Sequence, residues 1–576
     1  MLGEHLCDVL DVCRQGWHSM VWVCLVPLTI LLIGPAIRPA VAVHHFTFHR
    51  IQHYEVSGSL RGSPGVSLNC EVRTLFSASV ARRCLVISWK ELITKDISSV
   101  VQKGIVALII AVPQNMNSIQ GEDRDAFVET EQTILKMDLQ IPVYFVVQTP
   151  EVKDWLDSLD FHSGSVNTPQ TTTEELLQQV IGDYYYISSS SYSAKAIGDV
   201  KMSNLIGRIG DEASLQSSEQ QPMIVLVAHL DAIGVAPGLS YGANSDASGV
   251  AVLLEIVRIL STLKQTQRST PKRELLVLIS AGGKFNFLGT KKWLSEQVDA
   301  TESSLLGKIQ YAVCLDGVGE DFPPKVYVSR PPKEGSPAHR LFEVLNESAV
   351  NIAGNAAQLV HKKINLAEDE LTWEHEQFSL VRVPAFSLSS LSLNRISERR
   401  SILDDRSTVQ IPQLTKTAHW LADALAREMF GLEGNDTRIL HDNFLAVSEE
   451  NIASWLEILT RQPRPLQMLT PDHPVMVAVK DYLTKRLVDF KVKPLNSDKA
   501  ESDITLYGPV DVVVTASRTK QPFFDLLVTS IIAIYGGLMF LLLQYIDIIR
   551  ITRSWMRPVV SGSAIKFRNG RAVKYQ

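Results

Sequence analysis

An imidazole and a carboxylate two positions apart, His229 and Asp231, close an apolar run that begins at Met223. Six consecutive apolar residues, Met223–Ala228, have the composition of a fully buried strand, so both polar side chains fall at its tip. A small-residue turn follows, ending in Ser245, Asp246, Ala247, Ser248 and Gly249 before an apolar helical stretch. Open α/β sheets build metal-dependent hydrolase sites at such strand ends, where nitrogen and oxygen ligands hold a cation that activates water. Whether enough ligands stand around this tip decides the function.

Five blocks follow one another in order: "AHLD" at Ala228–Asp231, "GANSDASG" at Gly242–Gly249, "SAGGKFNFLGT" at Ser280–Thr290, "CLDGVG" at Cys314–Gly319 and "WEHEQF" at Trp373–Phe378, then "VPAFSL" at Val383–Leu388. A lone H-x-D is a weak signal, whereas five ordered blocks are a strong one. The order resembles the zinc aminopeptidase family with a co-catalytic metal pair. That resemblance covers the segment 195–430 and implies a mostly parallel sheet covered by helices.

Carried over position by position, the resemblance makes His229 the first zinc ligand and Asp231 the residue that orients it. The bridging aspartate falls on Ser245, with Asp246 one residue out of register. The adjacent glutamates, general base and ligand, fall on Gly283 and Lys284, or on Gly282 and Gly283 with a one-residue slip. Neither alignment supplies a carboxylate. The remaining ligand positions, Asp316 and His375, keep their residue types.

A catalytic zinc needs about three protein ligands, and a pair needs a bridge. His229 with Asp316 for one ion and His375 alone for the other fall short of that number. Loss of the base removes a further factor of about 10²–10⁴. The expected reading is a pseudo-peptidase with no catalytic residues, no bound metal and no cofactor. Lys284 is expected to supply the missing positive charge opposite Asp231 and Asp316. An active zinc aminopeptidase rearranged around Asp246, Glu374 or Glu376 is the alternative, as is a cleft that binds peptide near Tyr241 and Trp373 without cutting.

The elements that must position these residues read as alternating strands and helices. Strands are expected over Ser203–Ile209, Met223–Ala228, Glu274–Ser280, Gln310–Leu315, Val326–Ser329 and Pro384–Leu388. Helices are expected over Val250–Leu263, Gly289–Val298, Pro337–Val350 and Pro412–Glu428. A smaller α/β unit precedes them over 43–194, and a more polar region follows over 431–521.

At each end lies a segment with membrane-targeting composition. Residues 1–42 read as a signal peptide ending at Ala40-Val41-Ala42, with an uncleaved anchor as the other possibility. Leu526–Ile546 carries no charge, which predicts a transmembrane helix within 522–547. The tail 548–576 holds Arg550, Arg553, Arg557, Lys566, Arg568, Arg571 and Lys574, so the positive-inside tendency places it in the cytosol and the ectodomain in the lumen. Sequons at Asn346 and Asn435 agree with a lumenal glycoprotein. Past the signal only Cys70, Cys84 and Cys314 remain, too few for a disulfide framework. The net charge of −6 over 576 residues excludes a nucleic-acid footprint, so no direct DNA binding is expected.

Over the whole chain, the "RRC" block at Arg82–Cys84, "GGKFN" at Gly282–Asn286, "HKKINLAEDELTWEHE" at His361–Glu376 and the terminal apolar segment resemble the nicalin and nicastrin group. That resemblance implies a single-pass type I scaffold of the endoplasmic reticulum membrane. It further implies assembly with Nodal modulator and a multi-pass membrane protein at the ribosome-bound translocon, a role in multi-pass membrane protein biogenesis, and antagonism of Nodal signalling.

Overall fold

A computed structural model describes residues 43–75, 80–162, 183–189, 193–197, 202–210, 221–267, 271–300, 304–368, 370–432, 445–495, 504–520 and parts of 526–545. The expected signal peptide (1–42), the sequon Asn435 and the basic tail (548–576) lie outside them. The chain divides into two compact units, one of residues 45–163 and 187–515, the other of residues 1–44, 164–186 and 516–576. The residues singled out for chemistry all lie in the first.

That unit is built on an eight-stranded sheet. Its strands run Leu359–His361, Lys325–Val328, Ala385–Ser389, Ile309–Leu315, Met223–His229, Glu274–Ser280, Ser203–Ile209 and Val488–Pro494 from edge to edge. The centre is parallel: Met223–His229 pairs with Glu274–Ser280 and Ile309–Leu315, and the latter with Ala385–Ser389. Toward the edges, Ser203–Ile209 is antiparallel to both its neighbours, and Lys325–Val328 is antiparallel to Ala385–Ser389. The sheet is therefore mixed rather than mostly parallel. Parallel neighbours need long crossover connections, usually helical, whereas antiparallel neighbours do not.

The central strand shows why its sequence reads as an unbroken apolar run. Ile224, Leu226 and Ala228 enter the core beneath the helices Ser248–Gln267, Ile411–Phe430 and Glu449–Thr460. Met223, Val225 and Val227 point to the opposite core, with Trp293 of helix Leu288–Asp299 and Phe378 of helix His375–Leu380. Side chains alternate faces along a strand, so a sheet covered on both sides needs apolar residues at every position.

A second, parallel set of strands, Asn69–Thr74, Cys84–Ser88, Ala107–Pro113 and Val143–Gln148, carries the N-terminal α/β portion. Its helix Glu122–Lys136 packs into a core that includes Val235, Leu239, Ile402 and Leu403 from the larger portion. The two portions thus share apolar burial.

The expected membrane-spanning helix over Leu526–Ile546 is corrected. Among the described residues, no helix is long and apolar enough to cross a membrane. The longest described helical run there, 529–538, rises about 15 Å, half the roughly 30 Å of bilayer hydrocarbon. The single-pass type I topology expected of that segment, and the endoplasmic reticulum membrane placement that the resemblance implied, are corrected with it, because both require a spanning helix that the described residues do not contain.

Candidate functional site

Parallel registration sets the site at the carboxyl ends of the central strands. His229 stands opposite Ser280, and the pairing of Ala228 with Leu315 brings Asp316 to the level of His229. His229 is only 1% exposed. Its Nε2 lies 2.9 Å from Asp246 Oδ1, and its Nδ1 lies 3.4 Å from Glu374 Oε2. Burial and the Lys284 charge push its pKa down, but the Asp246 and Glu374 contacts prevail and raise it to about 10. His229 is held here as an imidazolium.

Asp246 reaches His229 through an irregular turn. Residues Ala243–Ala247 form a single π-helical turn between Gly242, at φ 58°, and the helix Ser248–Gln267. A π turn accommodates one residue more than an α turn. The carboxylate one residue out of register is thereby delivered to the tip, while Ser245 turns aside. Ser245 Oγ donates to Asp246 Oδ2 at 3.0 Å, and Ser245 N–H donates to Asp404 Oδ2 at 2.9 Å.

Lys284 completes the cluster, its Nζ 2.6 Å from Asp246 Oδ1 with both side chains buried. Burial raises the Asp246 pKa, but the Lys284 and His229 charges outweigh it and hold the carboxylate below its ordinary range. The expected cation at Lys284 is present, although its partner is Asp246 rather than Asp231 or Asp316. Asp231 instead accepts the N–H groups of Gly283 at 2.8 Å and Lys284 at 3.2 Å, fixing the loop that presents the ammonium. Burial raises its pKa against those bonds and the His229 charge.

Gly283, one of the former glutamate positions, has no room for a side chain. A Cβ there would sit 2.4 Å from His229 Cγ. The fully buried Arg464 donates to the carbonyls of Leu230 at 2.9 Å, Tyr241 at 2.8 Å and Gly242 at 2.9 Å. Its charge lies near Asp246, Asp404 and Asp231.

The positions that the aminopeptidase resemblance assigns to the rest of a metal pair are also filled. Asp316 Oδ2 is paired with Arg399 Nη1, and Arg399 Nη2 donates to Thr372 O at 2.8 Å while its guanidinium lies 5.0 Å from the Trp373 ring centre. His375 is fully buried, and neither ring nitrogen has a hydrogen-bond partner among the described residues. Burial, helped by the Lys362 charge, lowers its pKa to about 3, so it is neutral. Glu374 is satisfied by Ser280 Oγ at 3.0 Å and Thr290 Oγ1 at 2.6 Å besides His229, whereas Glu376 accepts Thr372 N–H at 3.1 Å on Oε2 and has Lys362 Nζ 3.6 Å from Oε1.

The zinc pair implied by the aminopeptidase resemblance does not fit this donor set. An ammonium sits on the carboxylate that would bridge, and a guanidinium sits on Asp316. Among the described residues, no group of three or more His, Cys, Asp or Glu side chains is arranged to hold a metal ion. The cleft itself is nearly closed, leaving a cavity of about 20 Å³ beside His229, Gly283 and Lys284, room for about one water. Of the sequence-derived site residues, the fold brings His229, Asp231, Ser245, Gly283 and Lys284 together around Asp246. It places Asp316 and His375 on the neighbouring strand end and helix. Asn346 lies apart, in helix Pro337–Ala353, with its Oδ1 accepting from Ala357 N–H at 3.0 Å.

Sequence reading missed Asp404, Arg399 and Arg464. Each arrives from a segment with no motif of its own. Arg464 meets Leu230 across 234 positions of chain.

Comparison with known proteins agrees with this geometry. The model of peptidase family M28 matches residues 204–406. The BOS complex subunit NCLN of Homo sapiens is 33% identical over 533 residues, covering 92% of this chain and 94% of that protein. The BOS complex subunit ncln of Danio rerio is 34% identical over 541 residues, covering 90% and 94%. Among solved structures, the gamma-secretase component Nicastrin aligns with a TM-score of 0.52 at 9% identity, over 82% of this chain and 99% of that one, which is a likeness of fold.

Proposed function

This chain belongs to the nicalin family, and from that membership we propose that it is a non-catalytic scaffold subunit of a BOS-type complex. One observation carries the non-catalytic part: the Lys284 ammonium, 2.6 Å from Asp246, stands where a peptidase would hold a cation. An ammonium balances charge as a metal does, but it has no open coordination position to polarise a carbonyl or acidify water. Gly283 compounds this, because the space a general base would need is taken by the His229 ring.

The partners we propose are Nodal modulator and a multi-pass membrane protein, met at the ribosome-bound translocon during multi-pass membrane protein biogenesis. Supporting this is the relatives' description as BOS complex subunits and their match along more than nine-tenths of their own length. The degenerate positions His229, Asp231, Ser245, Gly283, Lys284, Asp316 and His375 then serve as scaffold. A peptide-holding cleft is disfavoured, since about 20 Å³ admits one water and no side chain.

The test is purification of the tagged full chain in mild detergent, with mass spectrometry of what accompanies it and zinc analysis of the same sample. Stoichiometric recovery of a Nodal modulator and a multi-pass protein, with zinc well below one equivalent, is the expected result. Stoichiometric zinc together with peptide hydrolysis abolished by His229→Ala would overturn it.

A further inference from the structure

The small cavity left in the closed site has an unusual wall. Lys284, Arg399, Arg400 and His229 line it with Gly283 and Phe287, and no carboxylate is among the described lining residues. The acids that anchor these cations stand outside the lining: Asp246 for Lys284, Asp316 for Arg399, and Glu370, whose Oε2 lies 2.6 Å from Arg400 Nη2.

Donors remain after these contacts. An ammonium carries three N–H groups and a guanidinium five. Lys284 faces one carboxylate oxygen, and Arg400 commits its Nη2 to Glu370 and to the Lys284 carbonyl at 2.8 Å. Surplus donors around a low-dielectric cavity favour a guest that accepts hydrogen bonds, donates none and carries negative charge.

We propose that this cavity is a binding site for a small monovalent anion, chloride, enclosed by Lys284, Arg399 and Arg400. Size selects within the class. Room for about one water accommodates a bare halide, whereas a carboxylate or phosphate group brings several heavy atoms. The anion completes the substitution of the former centre: two cationic side chains replace a metal pair, and a halide replaces the oxyanion such a pair would hold. This inference rests on the residues of the closed site and not on the subunit role, so the two can fail separately.

The experiment uses the full chain in mild detergent, exchanged into sodium gluconate and titrated at constant ionic strength with sodium chloride or sodium bromide. Both halides are expected to raise the melting temperature along a saturable curve. In Arg400→Gln, at a side chain 26% exposed that tolerates replacement, the midpoint moves at least tenfold higher. Crystals grown in bromide are expected to show an anomalous peak within reach of Lys284 Nζ. Superimposable halide and gluconate curves, an unchanged midpoint in Arg400→Gln, or density without anomalous signal would each overturn the proposal. A bromide peak without any melting shift marks an adventitious ion only and overturns it as well.

Discussion

Lys284, Asp246 and His229 form a buried electrostatic cluster, and its members are not interchangeable. Removing one partner of a buried ion pair leaves the other charge uncompensated, at a cost of about 3–5 kcal/mol. Lys284→Met is therefore expected to destabilise the chain by about that much in urea unfolding. The double variant Lys284→Met with Asp246→Asn should lose at least about 1 kcal/mol less than the two singles added. Additive losses would show that the pair is not coupled. Gly283→Ala forces a Cβ to 2.4 Å from the His229 ring and is expected to cost about 1–3 kcal/mol as overpacking. His375 offers the opposite case. Buried neutral with a pKa near 3, it contributes stability that is complete above its ordinary pKa of about 6.5 and is lost as pH falls toward 3. His375→Leu should leave stability at pH 7 nearly unchanged and flatten the acid limb of the pH profile between about pH 6.5 and 3. A steep acid limb in that variant would assign the sensitivity elsewhere.

The segment Leu393–Asp404 is the element that shuts the site. Its Arg399 and Arg400 line the cavity beside Lys284, while its other side is tied to the helix Glu122–Lys136. Gln132 Nε2 donates to the carbonyls of Ser397 and Arg400, each at 3.3 Å, and Arg124 pairs with Glu398 at 3.4 Å. Glu131, fully buried, contacts Ser401 Oγ and accepts from Ile402 N–H at 3.1 Å. Burial raises its pKa to about 8 despite those bonds. Because the folded value lies above the unfolded one, this stabilisation is complete below about pH 4.5 and is lost as pH rises through about 8. Glu131→Gln keeps the shape without the titration, so its melting temperature should fall less between pH 5 and pH 9 than that of the parent chain. Parallel curves would remove Glu131 from the account. Glu131→Ala should instead raise amide exchange across Leu393–Asp404.

At the scale of the whole molecule, the strand Val488–Pro494 completes the sheet edge beside Ser203–Ile209, and Arg464 reaches its centre from the same late part of the chain. Residues 195–430 expressed alone are thus expected to aggregate, whereas residues 43–520 should give a cooperative melt. A soluble, cooperatively melting 195–430 fragment would contradict this. The central strands were legible in the sequence because burial on both faces leaves an uninterrupted apolar run. The strand Val488–Pro494 was not, since it is half-exposed to exposed throughout and carries Asp489, Lys491 and Lys493. The ordered blocks located His229, Gly283 and Lys284, yet the π turn that swaps Asp246 for Ser245 depends on backbone geometry that periodicity does not encode. The uncharged stretch near the C-terminus met a composition rule for membrane crossing, but among the described residues no helix reaches the length a bilayer needs.

The close approach of Gly283 to His229 also constrains which substitutions the chain can accept. Building a working zinc pair into this chain would require carboxylates at positions 283 and 284, in place of Gly283 and Lys284, and the release of Asp316 from Arg399. Taken singly, a glutamate at position 283 collides with the imidazole, and removal of the lysine strands a buried charge. Each of these two steps is expected to cost folding stability before any metal is gained. A zinc centre is thus separated from this arrangement by several coordinated changes rather than by one.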